Sequence, residues 1–401
     1  MLNPNYKEFF DKNDSDLRNA YRIYFNIDCA DDGGLQNVFT PYSFCEKIIN
    51  KTCESFVLKG KKILTTNLEF AIVMIEKGID ARSICFLTDC DKKAKFGKTI
   101  GVEIMDDGFF DFFKNVQEKK QIRTWDACIM NPPYQSQSDK SNTKTQAIWD
   151  RFVACSVNIV EQGGIIAAIH PSGWRSGSDI FPDAKIIKEK QVEYLEIHDE
   201  ADGLKTFKAT TRFDWYVLKN LPAEHPTTIM DQNGEKCKVI LGDIPCIPNC
   251  MIEKIISMIA KKKEKTVELI CDSTYHTQRE HMSKCKSGRF RYEVVYSTPI
   301  SGPTIWYSSI KNGHFGIPKV IFNPSRPIAY VIDYEGKYGL SQFCIGITGD
   351  RKYLDMVANV FENQKTNGFA EFMESCHFTD KIFNKDIVSR FRKDFWKEFI
   401  K

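Results

Sequence analysis

The run Trp125-Asp126-Ala127-Cys128-Ile129-Met130, followed at once by Asn131-Pro132-Pro133-Tyr134, constrains this chain more than any other feature. The apolar run reads as a buried strand. A proline cannot donate to a sheet ladder, so Pro132 and Pro133 force the chain out of the sheet. The residue before a proline is pushed toward extended geometry, which holds Asn131 at the carboxyl end of its strand. Open α/β sheets bind ligands at that end. The tetrad sets an amide oxygen, a proline carbonyl and an aromatic ring within four residues. Such a set suits a planar group carrying an NH2, with two acceptors for its hydrogens and a ring to stack on its face.

The segments before and after the tetrad alternate between two periods. Lys61–Thr66, Ser83–Thr88 and Thr99–Ile104 read as strands. Between them, Leu68–Lys77 reads as a helix ended by Gly78, and Lys92–Phe96 as a short helix closed by Gly97. After the tetrad, Ala147–Val160 carries apolar residues at helical spacing and stops at Gly163-Gly164. Ile165–His170 is a fully apolar strand ended by Pro171, and Tyr194–Ile197 with Phe213–Leu218 completes a sheet. Strands alternating with helices predict a parallel sheet covered on both faces. Ahead of all this, Thr40 is a plausible N-cap and Pro41 a first-turn proline for a helix through Ile49.

At 401 residues the chain has room for about two to three domains. A shift toward Pro, Asn and Gly over 220–250 predicts a domain boundary there. No apolar run approaches the length of a membrane span, and no signal peptide begins the chain, so a cytoplasmic location is expected, with no membrane partner. The 14 cysteines are scattered and no C-x-x-C pair occurs, so no metal site is predicted. Net charge is only +3, but residues 251–330 hold 13 Lys/Arg against 6 Asp/Glu. A local excess of this kind fits either a solvated face or a surface facing phosphates.

The tetrad and the order of the flanking motifs resemble the adenine-N6 DNA methyltransferases, and most of all their Eco57I-like group. The resemblance spans residues 36–220 clearly and the rest loosely. It implies a Rossmann-like S-adenosylmethionine-dependent methyltransferase sheet with a C-terminal mixed α+β target-recognition domain. It divides the chain into an N-terminal helical extension (1–35), a catalytic domain (36–220), a linker (221–244) and a DNA target-recognition domain (245–401). Asn131, Pro132, Pro133 and Tyr134 become the catalytic motif. Phe39 and Thr40, in Val38-Phe39-Thr40-Pro41, match a cofactor-contact motif, and Asp89, Asp91 and Asp107 match the acidic positions after the second and third strands. Gly163-Gly164-Ile165 with His170-Pro171-Ser172-Gly173-Trp174, and Thr206–Thr211, are similar to segments that shape the target-base pocket.

One departure stands out. The family usually carries a Gly-rich loop after the first strand, where the cofactor lies against backbone. Here the segment is Leu64-Thr65-Thr66-Asn67-Leu68-Glu69-Phe70, without glycine. Asn67 and Glu69 are expected to line the cofactor pocket instead. The implied partners are double-stranded DNA and a separate restriction endonuclease. Lys261, Lys262, Lys263, Arg289 and Arg291 are the candidate nucleic-acid contacts. Three other readings stay open at this point: methylation of RNA, methylation of a protein glutamine, and a weakened methyltransferase fold that only binds DNA or a partner.

Overall fold

The computed structural model describes residues 39–105, 108–118, 123–135, 147–177, 180–324, 327–378 and 385–400. The expected N-terminal extension and Asp107 lie outside these residues. The chain separates into two compact units, one ending at Ile244 and the other beginning at Pro245.

The first unit is built on one mixed sheet. Its strands are β1 (Ile63–Thr65), β2 (Ile84–Leu87), β3 (Glu103–Met105), β4 (Trp125–Met130), β5 (Val160–Pro171), β6 (Lys190–His198), β7 (Phe213–Pro222), β8 (Thr227–Met230) and β9 (Lys236–Val239). Their order is β3-β2-β1-β4-β5-β7-β6-β8-β9. β1 to β5 are mutually parallel, and β7 runs antiparallel to both β5 and β6. This is the Rossmann-like α/β sheet that the alternation of strands and helices predicts. Strand order reverses between β1 and β4, so a cleft opens above their carboxyl ends.

Period-two alternation divides the strands between two helical layers. Ile63, Phe86, Ile129, Ile169 and Trp215 bury against α1 (Tyr42–Ser55) and α2 (Leu68–Glu76). On the other face, His170 stacks on Trp149 of α5 (Trp149–Ile159), and Phe112 of α4 (Phe109–Gln117) meets Trp125 edge-on. With both faces covered, β1 and β2 are buried at every residue.

Three local expectations are corrected. α3 spans Asp91–Ile100 rather than ending at Gly97, and it consumes the start of the expected third strand. Gly97 is a contact position: a Cβ there would lie 2.7 Å from Ile104 Cδ1. Gly101, in the left-handed region at φ 89°, is the true stop. Thr40 is not the cap of α1. The Pro41 carbonyl accepts from Cys45 N–H, which makes Pro41 the N-cap and leaves the Thr40 hydroxyl for other use. Finally, residues 221–244 are no linker, because β8 and β9 form there and extend the sheet.

The second unit is mixed α+β. One sheet has the order β10-β17-β14-β15, from Leu269–Ile270, Ile345–Thr348, Lys319–Phe322 and Tyr330–Asp333. The other has the order β11-β13-β12-β16, from Met282–Ser283, Thr304–Ser308, Tyr292–Ser297 and Gly339–Leu340. Val320, Phe322 and Ile347 bury against Ile255 of α6 (Ile252–Met258), Leu354 and Phe361 of α7 (Arg351–Glu362), Phe372 of α8 (Phe369–Ser375) and Ile387 of α9 (Lys385–Val388). Ile321 faces the other way and packs with Val295 and Leu340 between the sheets. The buried Lys319 ammonium is fully occupied: it donates to the His314 and Ile317 carbonyls and to Asp333, at 2.8–3.0 Å. Burial lowers its pKa and Asp333 opposes that shift. Gly336 is obligatory in the turn after β15, since its φ is +66° and a Cβ would lie 2.3 Å from Ile317 N.

Candidate active site at the sheet switch point

The segments that follow β1 and β4 meet across the strand reversal. Asn67 and Asn131 are 64 residues apart in sequence, yet the Asn131 N–H donates to Asn67 Oδ1 at 2.7 Å. Thr66 Oγ1 donates to the same oxygen at 2.8 Å. The Asn131 side chain is fixed from a third direction, because its Nδ2 donates to Thr40 Oγ1 at 3.0 Å. With its nitrogen committed to Thr40, the amide turns its oxygen away from that contact. Asn131, Thr40 and Asn67 are all buried. Three chain segments thus converge on one residue, with Asn67 fixing its backbone and Thr40 its side chain, and preorganisation of that kind is what directed hydrogen bonding to a substrate requires.

Pro132 and Pro133 are buried and leave the sheet without regular secondary structure. The Tyr134 ring is half-buried, and its carbonyl accepts from Ile148 N–H at 3.1 Å. Burial raises the Tyr134 hydroxyl pKa, with hydrogen bonding to Asn131 opposing. It is therefore a neutral phenol at ordinary pH.

The residues expected on the cofactor side fall in different surroundings. Asp89, just beyond β2, is exposed at the same carboxyl edge of the sheet, where a carboxylate can accept from hydroxyls. Asp91 is the first residue of α3, where a negative charge favours the helix N-terminus. Phe39 packs against the core, and Glu69 is buried in the first turn of α2. Asn67 spends its oxygen on Thr66 and Asn131, so its side chain is drawn down onto the sheet edge. The side chain at the usual glycine position is thus engaged by its own neighbours at the sheet edge.

Beside the tetrad, β5 and β7 supply a buried polar cluster that composition alone does not single out. Because β7 is reversed, its first residues lie against the carboxyl end of β5, with Asp214 opposite His170. Asp214 Oδ2 accepts from Arg175 Nε at 2.7 Å and from Trp174 Nε1 at 2.8 Å. Arg175 and Asp214 have no solvent exposure. The turn Ser172–Ser176 is thereby pinned to the sheet, which places Trp174 as a buried structural ring. Burial raises the Asp214 pKa, and Arg175 opposes the rise. His170 is buried, 4.0 Å from Trp149 between ring centroids and 3.2 Å from the Tyr216 hydroxyl. Burial lowers its pKa to about 3, so it stays neutral and is no general base near pH 7. The one sequence signal for this cluster is a lone acid inside the apolar strand Phe213–Leu218.

The nucleic-acid candidates all fall in the second unit. Lys261–Lys263 occupy an exposed turn where Lys261 N–H donates to the Glu264 carboxylate. Arg289 and Arg291 are exposed on the connection between β11 and β12. Among the described residues no His/Cys/Asp/Glu group could hold a metal, and no helix is long and apolar enough to cross a membrane.

No protein-family model and no curated protein matches the sequence. Solved structures resemble it distantly. The type IIG restriction endonuclease BpuSI aligns over 94% of this chain and 62% of its own, at 10% identity and a TM-score of 0.49. The type I restriction-modification methyltransferase subunit from Streptococcus thermophilus aligns over 55% and 52%, at 12% identity and a TM-score of 0.38. The M protein of the type I restriction enzyme EcoKI aligns over 48% of each chain, at 9% identity and a TM-score of 0.34. The chain thus spans about half to three fifths of the length of these proteins.

Proposed function

We propose that this chain is a DNA adenine-N6 methyltransferase using S-adenosylmethionine, acting as the modification component of a restriction system. The observation that carries the reading is the triple fixation of Asn131 at the switch point by Thr40, Asn67 and the following prolines. Bound S-adenosylmethionine would supply an electrophilic methyl group on a sulfonium. The exposed carboxylate of Asp89 suits its ribose hydroxyls, with Phe39, Glu69 and Asp91 on the same side of the cleft.

The rest is work for the chain's own side chains. An adenine in a duplex is out of reach until it is flipped from the stack. Tyr134 offers its ring to the extruded base. The Asn131 oxygen and the Pro132 carbonyl accept the two N6 hydrogens, which draws the nitrogen lone pair out of conjugation with the ring. Asn131 needs no proton transfer for this, only orientation. The second unit, with its excess of Lys and Arg, supplies the grip on DNA.

The test begins with calorimetric titration of S-adenosylmethionine into the purified chain, followed by transfer of labelled methyl to duplex DNA. Asn131→Ala is expected to keep cofactor binding and thermal stability while kcat falls about 10²–10³-fold, the usual effect of deleting one preorganised hydrogen-bonding group. Turnover near that of the wild type would overturn the assignment of Asn131.

A further inference from the structure

The two basic clusters of the second unit differ in how their charges are held. β11 and β12 both pair antiparallel with β13 and lie on opposite sides of it. They are therefore parallel to each other, and the connection from Lys284 to Arg291 must pass across β13 as a strap. From His281 to Tyr292 this segment contains Lys284, Lys286, Arg289 and Arg291 and no acidic residue. All four cations are exposed.

Each of the four is paired with a ring instead of a carboxylate. Lys284 Nζ lies 5.5 Å from the Trp306 ring, Lys286 Nζ 5.9 Å from Tyr307, the Arg289 guanidinium 5.2 Å from Phe290, and the Arg291 guanidinium 5.0 Å from Tyr292. Trp306 is itself stacked on Tyr296, 4.9 Å away at an interplanar angle of 9°, and the exposed Phe343 meets Tyr296 edge-on. Among the described residues none of the four joins an ion pair, whereas Lys47, Arg175, Arg212, Lys319 and Arg392 each meet a carboxylate.

The difference has a chemical consequence. A salt bridge consumes the N–H donors of a cation and cancels its charge. A ring beneath a cation restricts the side chain yet leaves charge and donors facing solvent. The ordering entropy that a long Lys or Arg would lose on meeting a ligand is then partly lost beforehand. Lys261–Lys263 lack the ring: among the described residues none lies under any of the three, so nothing orders their side chains beforehand, and the neighbouring Glu264 carboxylate, which accepts from the Lys261 backbone N–H, offsets part of their charge.

We infer that the strap Lys284–Arg291 is the main phosphate-contacting surface of the second unit, that its partner is the backbone of duplex DNA, and that the 261–263 turn is not part of it. The inference rests on the DNA-methyltransferase reading and names the surface which that reading leaves open. Four contacts held this way add affinity in a sequence-independent manner and make binding steeply dependent on salt.

The test compares the full wild-type chain with two multiple variants by fluorescence anisotropy on one labelled duplex over a salt series. In Lys284→Gln/Lys286→Gln/Arg289→Gln/Arg291→Gln, the slope of log K against log salt is expected to shrink by about 3–4, near 0.9 per lost phosphate contact. Affinity at about 0.1 M salt should fall more than tenfold. Lys261→Gln/Lys262→Gln/Lys263→Gln should leave slope and affinity unchanged. Melting midpoint and S-adenosylmethionine binding, measured on the same samples, should match the wild type for both variants. Wild-type binding that survives the strap substitutions, or is lost in the 261–263 variant, overturns the inference and leaves the methyltransferase reading standing. A wild-type chain that binds no duplex overturns both. Tighter, strap-dependent binding to RNA overturns the choice of DNA.

Discussion

Asn67 stands where the methyltransferases that the sequence resembles have a glycine-rich loop, and its amide oxygen accepts from the backbone of the residue proposed to grip the methyl acceptor. A glycine there would admit the cofactor but could not brace Asn131. The two asparagines lie on either side of the strand reversal, so this bond ties the segment after β1 to the segment after β4. Two near-isosteric substitutions separate bracing from simple filling of space. Asn67→Leu removes both acceptor and donor, leaves Asn131 N–H and Thr66 Oγ1 without that partner, and is expected to lower kcat at least tenfold with cofactor affinity changed much less. Asn67→Asp keeps an acceptor for both donors and is expected to recover most of the loss. Steady-state kinetics with cofactor titration read both outcomes. Equal kcat values for the two variants would show that the acceptor plays no part. None of this is legible in the sequence. Asn67 can be placed after a strand, but a hydrogen bond over 64 residues depends on which strands become neighbours. The tetrad is legible because proline acts locally: Pro132 and Pro133 end β4 by their own covalent geometry, whatever surrounds them.

At the scale of elements, buried charges report how helices and strands are joined. Glu196 lies inside β6 with almost no exposure, and α1 reaches it through Lys47. Tyr194 donates to it at 2.7 Å and His198 Nε2 lies 2.9 Å away. Burial by itself would raise the Glu196 pKa, but the hydrogen bonds from His198, Lys47 and Tyr194 outweigh it and hold the carboxyl at about 2. The unfolded chain takes up this proton near pH 4.5 and the folded chain only near 2. The stabilisation is therefore fully present above pH 4.5 and is lost as pH falls toward 2. Its ceiling is about 3 kcal/mol, since each tenfold difference in proton affinity between the folded and unfolded chain is worth roughly 1.4 kcal/mol. Glu196→Gln should lower stability at pH 7 and flatten its decline below pH 4.5, as read by urea unfolding at a series of pH values. An unchanged acid limb in the variant would mean that this carboxyl is not what couples folding to pH there. Element boundaries show where sequence patterns mislead. Gly97 looks like a helix stop, yet it is a close-packing position within α3. Thr227–Met230 and Lys236–Val239 sit among turn residues and read as a linker, because β9 at the sheet edge has no buried residue and β8 beside it buries only alternate ones, which leaves little apolar signal.

At the scale of the whole molecule, charge is distributed far less evenly than its total suggests. The chain has a net charge of +3, while 251–330 alone has seven more Lys/Arg than Asp/Glu, so the remainder is net negative. A small cofactor bound over the sheet of the first unit meets mostly local dipoles and buried groups, which salt screens weakly. A duplex must release condensed counterions wherever cationic side chains replace them, and that release weakens as salt rises. The two proposed substrates should therefore separate in a salt series. Raising salt from about 50 to 200 mM should increase KM for duplex DNA by at least one order of magnitude, and KM for S-adenosylmethionine by less than a factor of about two. Steady-state kinetics with each substrate varied in turn read the difference. If both constants rise together, the charge excess of the second unit does not act on the acceptor polymer. If neither moves, the acceptor carries no dense negative charge, and an amide side chain of a protein becomes the better candidate for the group that Asn131 and Tyr134 are proposed to grip.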